Sequence, residues 1–263
     1  MTASSPPNLA ELRREIDRID DALHMLLMER GAIIDRLIAA KGTADSGIAF
    51  RPLREAEMMR RLVGGHEGRL PATTVEHLWR AIISIFTHLQ APYAVHVDGS
   101  AGFALLDEAR YQVGFDVPLV HEVGAAEVVA AVAKSAGDLG LVALVPNAAP
   151  WWEGLGADAE ISARLPFLVT PARPGTAAVV VTRPLGDAAV REVQVFAMSD
   201  NAKPGLAGPE ILAECNAGGR WHGLLACDGC APPKGARPVG FYARPIVLAE
   251  PAAASATAGT GAR

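Results

Sequence analysis

A long apolar stripe opens the chain and limits what it can become. Leu12, Ile16, Ile19, Leu23 and Leu26 follow one another in steps of four and three, and Ile33, Leu37 and Ala40 continue the line. That spacing is one face of an α-helix. Asn8 is a suitable N-cap and the stretch from Gly42 to Ala49 is a polar break, so the sequence predicts a helix reaching Lys41. Such a helix has roughly 33 residues and is about 50 Å long. It exceeds the usual globular helix and needs a partner along its whole length. The stripe also carries an anomaly. Between Leu26 and Ile33 the line passes through Arg30, a side chain that is costly to bury unpaired.

The next segments continue the helical pattern. Pro52 is a good first helical residue, and REAEMMRRLV carries a second helix to about Val63. After the break GGHEGRLP a third helix begins near Thr74, with Val75, Trp79, Ile82, Phe86 and Leu89 on one face. From Val95 the texture changes. β-branched runs such as YAVHV, GLVALV, TAAVVVT and REVQVFAM alternate with alanine-rich helical stretches such as AAEVVAAVAKS. That alternation predicts an α/β sheet. The domains expected are therefore a helical one at 1–93, an α/β one at 94–250, and a disordered low-complexity tail at 251–263. The region from Asp200 to Arg237 is rich in Gly, Pro and Ala and has no assignment from pattern alone.

Composition narrows the function classes. A net charge of −5 gives no global basic field for nucleic acid. The start MTASSPPNLAELRRE lacks the pattern of a secretion signal, and no uninterrupted apolar run is long enough to span a bilayer. Three cysteines do not make a disulfide framework, so a cytoplasmic setting is expected. Cys227-Asp-Gly-Cys230, with His222 and Cys215 nearby, has zinc-like ligand types without a regular spacing. The expectation is loop cysteines without metal. Trp151-Trp152 is read as packing, and His66, His77 and His88 as surface groups.

The cations have a spatial logic. Arg30 and Lys41 are eleven residues apart, so they lie within roughly 20° of one helix face, about 16 Å apart along the axis. Arg13 lies roughly 25 Å from Arg30 along the same helix. It reaches a shared small ligand only from a second, antiparallel copy, which points to an intertwined homodimer. Arg54-Glu55 opens the second helix and Gln90 ends the third. Together these groups suit a small dianion with an uncharged polar centre. The competing structural reading pairs Arg30 with Glu15, Glu29 or Asp35, or lets it reach the rim of the stripe.

The opening LRREIDRIDDALHMLLMERGAII, taken with Arg13, Arg30, Lys41, Arg54-Glu55 and Gln90, resembles the all-helical (AroQ-type) chorismate mutases over about residues 9–93. The resemblance implies a homodimeric isomerase that converts chorismate to prephenate by a [3,3] rearrangement, without cofactor or metal. It implies that Arg13 from the partner protomer, Arg30 and Arg54 hold carboxylates. Lys41 and Gln90 would hydrogen-bond the ether oxygen, and Glu55 the ring hydroxyl. Two positions depart from the pattern: Arg51 stands where a small acidic residue is usual, and Phe86 stands where a serine is usual. Arg51 is read as a solvated loop charge.

The α/β half resembles prephenate dehydratases more faintly, through VGAAEVVAAVAKSAGD, GDLGLVALVPN and ISARLPFL. That resemblance implies a two-lobed periplasmic-binding-like fold. The glycine-rich opening is reduced to VDGSAG, Pro184 follows Thr182-Arg183 where an aromatic is expected, and Pro146 replaces a glutamate. A domain that has lost dehydration is expected. The alternatives are a bifunctional mutase and dehydratase, or a non-enzymatic ligand sensor on a helical dimerization module.

Overall fold

Asn8 and Glu11 fix the start of the first helix reciprocally. The Asn8 side chain accepts from the Glu11 backbone N–H at 3.0 Å, and the Glu11 carboxylate accepts from the Asn8 N–H at 3.1 Å, a capping box. The computed structural model describes residues 8–41, 49–186, 191–205 and 207–248, with only the backbone at Lys41. In it α1 runs Leu9–Lys41, α2 Pro52–Gly64 and α3 Ala72–Gln90. The loop after Lys41 and the tail at 251–263 fall outside the described residues. Helix α1 projects as an arm whose contacts are with α3 near its C-terminal end. Its stripe is exposed: Ile16 is 56% accessible, Leu23 55% and Leu26 61%. No helix among the described residues is long and apolar enough to cross a membrane.

The α/β half begins at β1 (Val95–Asp98), followed by α4 (Phe103–Val113), β2 (Leu119–Glu122), α5 (Ala125–Lys134) and β3 (Leu139–Ala143). β1 lies between β2 and β3, parallel to both. The two helices cover opposite faces. α5 buries Val128, Val129 and Val132 with Val142, Trp151 and Trp152, whereas α4 buries Leu105 and Ala109 with Val95, Val97 and Leu141. Gly140 lets α5 approach β3 closely, since a Cβ there would meet Val128 Cγ1 at 2.6 Å. Trp151 and Trp152 pack edge to face, 5.7 Å between centroids, inside the first of these cores.

The remaining strands are β4 (Glu160–Leu165), β5 (Leu168–Val169), β6 (Ala178–Thr182), β7 (Val193–Asp200), β8 (Glu210–Ala217), β9 (Arg220–Cys227), β10 (Arg237–Tyr242) and β11 (Ile246–Val247). Nine of the strands form one sheet in the order β2-β1-β3-β6-β4-β10-β7-β9-β8, and β11 and β5 pair separately. The α/β class is as expected. The two-lobed arrangement implied by the resemblance does not form among the described residues. Beyond β6 the strands meet mainly as antiparallel neighbours without covering α-helices, so no second βαβ lobe faces the first. The segment without an assignment, Asp200 to Arg237, contains the β8–β9 hairpin. Its turn residues Gly218 and Gly219 have φ of 57° and 75°, conformations that glycine adopts without strain. Cys215 and Cys227 are buried in these strands, and no group of metal-ligating side chains gathers among the described residues.

The helices and the sheet share a core. Ala56, Met59 and Ile83 pack with Phe167 and Ala243, and Arg60 grips Glu192 through two hydrogen bonds of 2.6 Å. His77 stacks on Tyr111 at 4.9 Å and His88 accepts from the Tyr93 N–H at 3.3 Å. These two histidines therefore lie at the junction of α3 and the α/β half. Met59 is 1% exposed. Met59→Ala should cost about 2–5 kcal/mol. In a Trp79→Phe background, which leaves Trp151, Trp152 and Trp221 of the α/β half as the emitters, urea unfolding followed by helical circular dichroism and by tryptophan emission should shift together. An unchanged tryptophan transition would contradict the shared core.

Candidate active site

Arg30 sits where α1 crosses α3. Its guanidinium carbon lies 4.2 Å from the centroid of the Phe86 ring, a cation–π distance. Its Nη1 is buried and has no hydrogen-bond partner among the described residues. Burial lowers the Arg30 pKa, and the nearby charge of Arg54 lowers it further. Among the described residues no carboxylate forms an ion pair with Arg30, so the expected alternatives Glu15, Glu29 and Asp35 are not used. Two cations thus share one locality, and one of them has a buried, unsatisfied donor. Such a group costs free energy until an acceptor arrives, and a carboxylate is the acceptor a guanidinium fits best.

Gln90 is tied to the same spot. Its Nε2 donates to the Phe86 carbonyl at 3.0 Å. Phe86 therefore touches Arg30 through its ring and Gln90 through its backbone. Arg54 is exposed on α2, and Arg13 is exposed near the far end of α1. Lys41 ends α1, and its side chain lies outside the described residues. Arg51 is exposed and donates to the Phe50 carbonyl at 2.9 Å.

Glu55 takes a different direction. Arg80 Nη1 donates to Glu55 Oε2 at 2.9 Å, and Arg80 Nε lies 3.6 Å from Glu76 Oε1. Tyr111 donates to Glu76 Oε2 at 3.1 Å. With Arg80, Glu55 lines a partly open cavity of about 30 Å³ shared with Ser162, Arg164, Phe167 and Ala243 of the α/β half. That volume holds about two waters. Burial raises the Glu55 pKa, opposed by Arg80. The structure thus sets Arg30 and Gln90 against Phe86 and Arg54 near Arg30, while one oxygen of Glu55, the residue after Arg54, is taken by Arg80.

Arg80 is the group that pattern reading misses. The buried face of α3 carries Glu76, Arg80, Ser84 and Thr87 alongside Ile83. Read alone, those polar residues resemble a solvated face opposite the apolar stripe. Their spacing of four, four and three was the available signal, and α4 supplies the partner, as in the Ser84 hydroxyl donating to the Gln112 carbonyl at 3.0 Å.

Comparison with known proteins bears on this segment. Residues 12–91 match the family model of chorismate mutase type II. A bifunctional chorismate mutase/prephenate dehydratase of Neisseria gonorrhoeae (strain ATCC 700825 / FA 1090) is 32% identical over 90 residues, which are 34% of this chain and 24% of that protein. The aligned stretch thus spans about a quarter of that relative, whose coverage is 24%. No solved structure matches the chain.

The buried carboxyls carry a pH signature. Burial raises Glu76 above the ordinary carboxylate range, as it does Glu55. A carboxyl with a raised folded-state pKa contributes stability that is fully present below its unfolded value and lost as pH rises through the folded one. Glu76→Gln removes one such titration. From about pH 4 to about pH 7 wild type should therefore lose ground to the variant in urea unfolding. A wild type that gains on the variant across that range would contradict the shift.

Proposed function

We propose that the helical segment is a chorismate mutase that converts chorismate to prephenate. The observation that carries the reading is the unsatisfied Arg30 donor beside Arg54, inside the segment that matches the chorismate mutase family model. The reaction is a rearrangement within one molecule. It requires that the diaxial conformer be held and that negative charge growing on the ether oxygen be met by donors. Arg30 and Arg54 hold carboxylates, with Arg13 arriving from a second protomer. Lys41 and Gln90 serve the ether oxygen. Gln90 is a fit donor because its amide needs no proton to donate at neutral pH, and it exchanges the Phe86 carbonyl for substrate. For Glu55, whose Oε2 is held by Arg80, the ring hydroxyl falls to Oε1. No cofactor is needed for this chemistry.

The homodimer belongs to the same proposal. An α1 stripe with Leu12, Ile16, Ile19, Leu23 and Leu26 all exposed is a surface that water disfavours. A second α1 running antiparallel covers it and delivers Arg13. The setting is the cytoplasm, without membrane or nucleic acid as partner.

The relative's second activity is not carried over to this chain. Thr182 is fully buried and its Oγ1 has no partner, while Arg183 donates to the Ser135 carbonyl at 3.4 Å. The buried Thr182 hydroxyl is not offered to a prephenate molecule. The α/β half, residues 94–250, is therefore proposed to be dehydratase-like in origin and inactive in dehydration.

Three outcomes test these statements. Loss of chorismate absorbance should be catalysed by wild type and abolished in Arg30→Leu, whatever that change does to stability; an active Arg30→Leu sinks the site. Lys41→Ala should lose turnover by a factor of about 10²–10³, about 3–4 kcal/mol, with the dimer intact by sedimentation. Prephenate added to the purified chain should give no phenylpyruvate, and a clear rate would restore the bifunctional reading.

A further inference from the structure

We propose that Phe86 is a positioning residue of the chorismate site, its ring face setting the plane and place of the Arg30 guanidinium. The inference rests on the mutase reading and goes beyond it, because a serine is the residue usual at this position and its hydroxyl is missing here. Arg30 has no carboxylate partner among the described residues, and Arg54 repels it. A long cationic side chain in that situation samples many rotamers. The contact that restrains it is the Phe86 ring at 4.2 Å. That ring is itself anchored in α3, whose next turn returns the Gln90 amide to the Phe86 carbonyl. One residue thus indexes a carboxylate clamp on α1 and an ether-oxygen donor on α3 to each other. A ring face attracts the cation without consuming its N–H donors, which stay available for the substrate carboxylate. A carboxylate partner would have done the opposite.

Chorismate needs the clamp in both ground state and transition state, so losing its placement raises KM and leaves kcat nearly unchanged. The test replaces Phe86 by phenylalanines with one, two and five ring fluorines in the full-length protein. Fluorination drains the ring face of negative potential and changes its size little. KM for chorismate should rise stepwise along the series, by about 2- to 30-fold at the end, with kcat, dimer mass and unfolding midpoint held. Phe86→Leu, which has no ring face, should also raise KM. A KM that stays flat across the fluorine series while wild type is active overturns the role of Phe86 and leaves the mutase reading standing. A wild type inactive on chorismate overturns both.

Discussion

A half-buried guanidinium with no counter-ion among the described residues is the constraint from which the rest follows. Arg30 stands on the apolar line of α1, with one donor out of reach of water and of any protein acceptor. In a domain that only had to fold, leucine there would be cheaper. An unsatisfied buried donor calls for an explanation, and with Arg54 nearby the proposed one is an anionic substrate. The arrangement around Phe86 has the same sense: the cation is held by a surface that uses none of its hydrogen bonds.

The length of α1 follows from the same requirement. A helix long enough to place Arg13 and Arg30 some 25 Å apart has a stripe it cannot bury against its own short bundle. In the proposed dimer this exposed stripe is the surface that a second copy covers, and the covering would bring Arg13. The shared core of α2, α3 and the sheet holds the other end firm. Met59, Phe167 and the Arg60–Glu192 grip join the helices to the α/β half, and the Glu55–Arg80–Glu76–Tyr111 chain runs polar contacts through the same junction.

Much of this was legible because helices announce themselves by period and caps. Asn8 and Pro52 mark real helix starts. Arg30 was visible as a flaw in a pattern. What the sequence hid were features decided by tertiary neighbours. Arg80 looks solvated until α4 and the sheet are placed against α3, and Glu55 looks free until Arg80 claims it. The β8–β9 hairpin lay behind its composition, although Gly218-Gly219 between alternating residues is a turn signal in its own right. The second lobe failed to appear because local strand texture does not specify how strands are grouped.

The central claim is that each site takes Arg30 from one chain and Arg13 from another, and mixing two inactive variants tests it most directly. Arg13→Ala and Arg30→Leu chains, unfolded and refolded together in equal amounts, give mixed dimers with one whole site and one doubly damaged one. The account predicts that chorismate turnover returns to about a quarter of the wild-type level, since about half the dimers are mixed and each has one working site. A mixture that forms mixed dimers and stays as inactive as its components would contradict it.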